Sequence, residues 1–400
     1  MQTKKQGSLL RSKIIFTFLI MIMYLIGKGI PLYMIDVSAY LHETMDADAL
    51  LKQTISGDIN QCSIFALGIS PYMISSILIQ ILTAFQKTEN KSKVSPRKRN
   101  HLVLTLTFIM ALLMATTRVN DLHFRVTGNQ LLLAMIIAVL EMVAGVFFIQ
   151  YIVARNQKYG IGGQSSIISL NILDGILLTM KGHDIQLLIL PLLISLVVIF
   201  VIILMENTEM RIPVQRISIH NVYADKNYLA IKLNPIGIMP VMFAAAFFML
   251  PQLFVTWMSW WFPNNAYILY AQENMVLTKP LGIIVYIFVL YILTIGFSRV
   301  MINPREMTDQ FLKSGDSICD LHAGKETRKY LSRVINRMSL ISATVMGICL
   351  CGPMILQMTG RLDGTFVTLP SSVMMLTGVF CNLFREVEAV RDLEAYKPFI

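Results

Sequence analysis

Ten apolar stretches, each long enough or nearly so to cross a hydrocarbon layer of ~30 Å as a helix, dominate this 400-residue chain. They run at about 14–35, 63–85, 102–117, 131–152, 163–180, 185–205, 236–257, 280–301, 334–356 and 366–384. Composition agrees with a membrane solvent. Hydrophobic residues make up 55% and charged residues 14%, against the roughly 25% charged of an ordinary soluble domain. The first 26 residues have the look of a secretory signal, with Lys4, Lys5, Arg11 and Lys13 before an apolar run. No small-residue cleavage site follows, so the segment is read as a retained first span. The second, third and fifth spans are short or interrupted, by Gly68, Ser70 and Pro71 or by Gly162 and Gly163, as suits helices that line a cavity.

Basic residues set the orientation. Of the 34 Lys and Arg, 27 fall in the termini and alternate connections of one side and 7 on the other, which places both termini in the cytoplasm. The net charge of +10 is therefore a topology signal with some attraction to anionic lipid, and nucleic acid is not an expected partner. The two largest cytoplasmic connections, 207–235 and 302–333, are basic. They suit either a docking partner or simple positive-inside tethering.

Little in the sequence speaks for chemistry. The five cysteines, Cys62, Cys319, Cys349, Cys351 and Cys381, are scattered, and most lie in or beside apolar runs where a thiol behaves as a small hydrophobe. Cys349 and Cys351 are too close for C-x-x-C redox geometry. No His spacing suits a metal, no phosphate-binding loop is found, and no cofactor is expected. Two charges fall inside spans, Glu141 and Asp174. They fit a proton or ion relay, or interior hydrogen bonding, and no basic residue is evident at matching depth. With His183 they are the only actors available to a membrane-embedded enzyme, and their spacing matches no catalytic geometry. A solute transporter would share the ten spans, broken helices and charge bias.

The stretch Ser63-Ile-Phe-Ala-Leu-Gly-Ile-Ser-Pro-Tyr72, continuing to Ile79-Gln80-Ile81-Leu82, is long and unusual. Other short motifs fall in order along the chain: Ile26-Gly27 with Ile30-Pro31 and Asp36, Tyr159-Gly-Ile-Gly162, Arg211-Ile-Pro-Val-Gln215, and Pro240 with Phe243-Ala244. Asn303-Pro-Arg-Glu306, Lys313-Ser-Gly315, Gly324 and Lys329-Tyr330 complete the series. From about residue 14 to 388 the chain resembles the SecY family of protein-conducting channels.

That resemblance implies an all-α polytopic membrane fold of ten transmembrane helices in two pseudo-symmetric halves, 1–181 and 182–400. The halves would clamp an hourglass pore that opens sideways between the second and seventh helices. The pore constriction would be lined by Ile69, Met73, Ser165, Ser169, Met242 and Met375. Family constrictions are mostly aliphatic, so two serines and three methionines are a departure. Methionine deforms around irregular chains and serine wets one wall, which fits bulky or modified cargo. The alternatives are a slipped alignment of the fifth helix, or serines that bond only their own helix. A plug would occupy about 50–61, with Ser56, Gly57 and Asp58 at its centre, and Lys52 and Asp58 make it polar enough to be held loosely. Gln80 would sit at the lateral gate, where its amide can bond across two helices.

The same resemblance implies an unfolded secretory preprotein as cargo, a separate SecA-type motor ATPase, and small SecE-like and SecG-like membrane subunits. Motor-docking candidates are Arg211, Arg216, Arg305, Lys313, Lys325, Arg328 and Lys329. His322 stands where the family carries an arginine important for motor coupling. A mostly neutral imidazole cannot replace a guanidinium fork, so a cognate motor is expected. With the altered constriction, this resembles the accessory SecY-type channels of Gram-positive bacteria, which export large serine-rich glycoprotein adhesins. A general housekeeping channel is the alternative.

Overall fold

A computed structural model describes residues 8–36, 62–85, 96–120, 122–180, 185–216, 228–262, 265–276, 279–318, 321–322, 324–359 and 366–395. These form twelve helices and three short strands. In chain order they are α1 Ser8–Lys28, α2 Ser70–Phe85, α3 Pro96–Val119, α4 Asn129–Tyr159, α5 Gln164–Met180 and α6 Ile185–Asn207. Then follow β1 Glu209–Arg216, β2 Tyr228–Lys232, α7 Met239–Trp261, α8 Ala266–Asn274, α9 Pro280–Ile302, α10 Pro304–Ser314, β3 Asp316–Ile318, α11 Lys325–Met358 and α12 Thr368–Ala395.

Each of the ten apolar stretches falls on a helix, and seven helices are long and apolar enough to cross a membrane by length and composition. The other three depart for visible reasons. α2 has 16 residues because 62–69 runs as irregular turns, with Gly68 at φ +54°. α5 has 17 residues because Gly162 and Gly163, at φ +78° and +48°, take the left-handed conformation that only glycine adopts without strain. α12 carries a charged second half beyond its apolar run. Several helices outrun the stretches, α3 and α11 at their starts and α4 at its end. Their extra turns are polar and lie beyond the run that hydropathy detects.

The early helices pack as a group, α2 on α3, α3 on α4, and α1 on α4 and α5. The late ones do likewise, α6 on α12, α9 on α7 and α11, and α11 on α12. The two groups meet along two seams, α5 with α12 and α2 with α7. Close approach depends on small residues. A Cβ on Gly145 of α4 would collide with the carbonyl oxygen of Ile64, so the irregular segment before α2 lies directly on α4. There Phe65 stacks between Tyr24 of α1 at 5.5 Å and Phe148 of α4 at 6.0 Å.

The small sheet was not evident in the sequence. Its order is β2-β1-β3, antiparallel throughout, with Arg211 opposite Ala230 and Gln215 opposite Ser317. One sheet therefore draws strands from both basic connections, 207–235 and 302–333. Beneath it Ile212, Ile231 and Ile318 pack with Leu331, Val334 and Ile335 of α11 in a core separate from the main one. The two connections fold as one head.

Candidate functional site

A cavity of about 790 Å³ opens between the two seams. Its wall takes Tyr72, Ser76, Gln80 and Thr83 from α2, Gln157 from α4, and Gln164 and Ser165 from α5. Arg99 of α3, Met239 and Phe243 of α7, Phe297 and Met301 of α9, and Asn382 and Glu386 of α12 also line it. Apolar rings, amide side chains and two charges, Arg99 and Glu386, share this surface, which suits a hydrated vestibule in contact with varied side chains. A second cavity of about 140 Å³ lies on the α2–α7 seam, lined by Ala66, Leu67 and Ser70, by Met114 and Thr117 of α3, and by Met249, Gln252 and Thr256 of α7.

Along α7 the order is large cavity at 239–243, then small cavity at 249–256. Along the chain through α2 it runs from small cavity at 66–70 to large cavity at 72–83. In sequence Ile69 falls within the small-cavity stretch, and Met73 and Met242 fall within the large-cavity stretches; all three are buried, as is Met375 of α12, and all four belong to the main hydrophobic core. Four of the six constriction candidates are thus buried in the main apolar core. The serines behave differently from each other. Ser165 is half-buried on the large-cavity wall, whereas Ser169 is 3% exposed and its hydroxyl donates to the Ser166 carbonyl at 2.8 Å, within its own helix.

Gln80 is exposed on the cavity wall and, among the described residues, has no side-chain hydrogen-bond partner. The plug candidates Ser56, Gly57 and Asp58, like the whole 50–61 segment, lie outside the described residues. Of the docking candidates, Arg211, Arg305, Lys313, His322, Lys325, Arg328 and Lys329 are exposed on the head, while the Arg216 side chain lies outside the description. Arg211 donates to Glu209 at 2.8 Å and stacks on Tyr228 at 4.7 Å. The hydrogen bond to Glu209 raises its pKa further, so the guanidinium stays charged.

Three polar arrangements escaped the sequence reading. First, Asp174 pairs with Lys28 of α1, which corrects the expectation that no base lies at its depth. Both sit near the same end of spans that run in the same direction, a signal the sequence does contain. Glu141 instead accepts the Tyr33 backbone N–H at 2.9 Å.

Second, Glu206 at the end of α6 is 2% exposed. Its carboxylate accepts from Arg385 Nη1 and from Asn234 Nδ2, each at 2.8 Å. Arg385 Nη2 also donates to the Glu206 carbonyl at 2.6 Å, and Ser342 of α11 donates to Asn234 Oδ1 at 3.0 Å. This network ties α6, α11, α12 and the β2–α7 link together beneath the head. Third, Glu386, next to Arg385, accepts the Gly162 backbone N–H at 2.9 Å across the α5–α12 seam.

Similar proteins share this architecture. One solved structure, "The structure of a protein conducting channel", superposes with a TM-score of 0.68 at 17% identity, covering 98% of this chain and 94% of that one. "Sec61 in the Canine ribosome-channel complex from the endoplasmic reticulum" gives 0.65 at 17% identity, again covering 98% and 94%. Among sequences, an "Accessory Sec system protein translocase subunit SecY2" of Streptococcus pneumoniae is 29% identical over the full length of both chains. A protein of the same description from Leuconostoc gelidum is 27% identical over 97% of this chain and 96% of its own. The family model described as SecY matches residues 63–383, a range that holds the lining of the smaller cavity and all of the larger one's except Glu386, and the chain belongs to the SecY family.

Proposed function

We propose that this chain is the pore subunit of a preprotein translocase in the cytoplasmic membrane, with both termini in the cytoplasm, and that it serves an accessory export system. Two observations support the reading: two cavities follow one another along the α2–α7 seam, and Ile69, Met73, Met242 and Met375 are buried in the apolar core. A polypeptide in transit needs water on either side and a narrow dewetting layer between, which holds back ions when no chain is present. A helix destined for lipid would leave through the seam beside Gln80.

On this reading the halves 1–181 and 182–400 move about the layer. Work comes from a separate SecA-type ATPase that docks on the shared head through Arg211, Arg305, Lys313, Lys325, Arg328 and Lys329, with His322 favouring a cognate motor. A SecE-like subunit, with or without a SecG-like one, braces the clamp. The accessory role draws on the relatives' descriptions and on the methionines and Ser165 at the pore. Large serine-rich glycoproteins are the proposed cargo.

Site-specific photocrosslinking from Met242 in native membranes tests this, using export substrates arrested by a folded C-terminal domain. Crosslinks to a serine-rich glycoprotein and not to a general secretory protein are expected. Crosslinks to the general protein alone would leave the pore assignment and remove the accessory role. Crosslinks to neither would overturn the channel reading in favour of a solute transporter.

A further inference from the structure

All three tryptophans of the chain, Trp257, Trp260 and Trp261, lie within the last turns of α7, at the end remote from the head. α7 has 23 residues and so rises ~34 Å, about the thickness of the hydrocarbon layer. Trp257 and Trp260 stack at 6.4 Å, while Trp261 is 78% exposed. The short helix α8 follows immediately and buries none of its residues. Tyr267 is 86% exposed and Tyr270 62%. From Met239 to Asn274 the only charged residue is Glu273.

A large aromatic surface with a single carboxylate at its far end is costly in bulk water. Indole and phenol groups carry an apolar body and one polar handle, which matches the boundary between acyl chains and headgroups. α8 continues a membrane-spanning helix at the depth where that boundary falls. We propose that the tryptophan end of α7 and helix α8 form a docking surface for the interfacial layer of the bilayer, on the face opposite the head. The occupant is lipid, at the level of the glycerol backbone. Gln252 of α7 donates to the Met275 carbonyl just beyond α8 at 2.9 Å, so α8 is tethered to α7 and to the wall of the smaller cavity. Any displacement of α7 on the seam then drags an anchored surface through the headgroup region. The surface itself does not depend on the transport reading.

Because no other tryptophan exists in the chain, its native fluorescence reports this surface alone. The full-length chain is reconstituted in phosphatidylcholine–phosphatidylglycerol vesicles containing lipids brominated near the glycerol end, at mid-chain or near the methyl end. Acrylamide is added from the water, and Trp257→Phe/Trp260→Phe/Trp261→Phe supplies the blank. The largest loss of emission is expected from bromine near the glycerol end, with a smaller loss from the methyl end and partial protection from acrylamide. Full acrylamide quenching with no bromolipid effect would place the surface in water and overturn the proposal. Dominant quenching from the methyl end, or silence to both quenchers because a second copy of the chain covers the patch, would overturn it as well.

Discussion

Replacing Arg385 by Met tests whether the network under the head holds the late helices together. Glu206 is 2% exposed, so its carboxylate depends on Arg385 and Asn234 for the bonds that water would otherwise supply. Methionine keeps most of the apolar stem but removes the counter-charge and both guanidinium bonds. Removing one partner of a buried pair costs ~3–5 kcal/mol. The Arg385 side chain is 34% exposed, so water can reach the vacated space, and the lower end of that range, ~3 kcal/mol, is expected.

Glu206→Gln should cost less. The amide oxygen still accepts from Asn234, and the partly exposed guanidinium can turn to water, leaving ~1–2 kcal/mol for the lost charge-assisted bond. The double variant Glu206→Gln/Arg385→Met should fall below the sum of the singles, since the charge that Arg385→Met strands is gone. Reversible unfolding in mixed micelles reads all three. Equal costs for the two single variants, or a strictly additive double, would refute the claim that Glu206 is a buried charge held by this arginine.

Other outcomes follow from the same geometry. Gly145→Ala should cost ~1–3 kcal/mol because its Cβ meets the rigid Ile64 carbonyl. Gly352→Ala, inside α11 with nothing near its Cβ, should be neutral or stabilising by up to ~1 kcal/mol, and folded yield in detergent compares the two. Ser165→Ile should fold normally yet reduce export of the native cargo. Ser169→Ile should also overpack a buried site by ~1–3 kcal/mol, and unchanged export in both would remove the proposed role of the serines. Reversing Lys325, Arg328 and Lys329 to Glu should weaken motor binding in a co-sedimentation assay. The difference should shrink at high salt, as screening requires for exposed charges.

The helices were legible because each needs a long apolar run, and that signal survives whatever the neighbours do. The breaks before α2 and α5 were equally plain, since Gly68, Gly162 and Gly163 mark them directly. The head was not. β3 has 3 residues and β2 has 5, too short for alternation to stand out, and β1 pairs with a strand a hundred residues away. α8, with 9 residues, is likewise below the length at which periodicity speaks. At the candidate site, the family motifs led to Ile69, Met73 and Met242, and their burial in the main apolar core depends on packing among helices far apart in the chain. Glu206 and Arg385 lie at the head-side ends of their spans with opposite charge, a hint the sequence contains. Their pairing still required knowing that α6 packs on α12.

The shared sheet has a mechanical consequence. Strands from two separate connections are laced by antiparallel hydrogen bonds, so a protein pressing on either one moves both as a plate. That plate is joined to α7 only by residues 233–238. Within this link Leu233 is bonded to the Thr208 carbonyl at 2.9 Å and Asn234 is clamped to Glu206. A link so short and so held has no slack to absorb displacement. Tilt of the plate is therefore passed toward the first turn of α7, where Met242 lies, through a link that Glu206 also ties to α6.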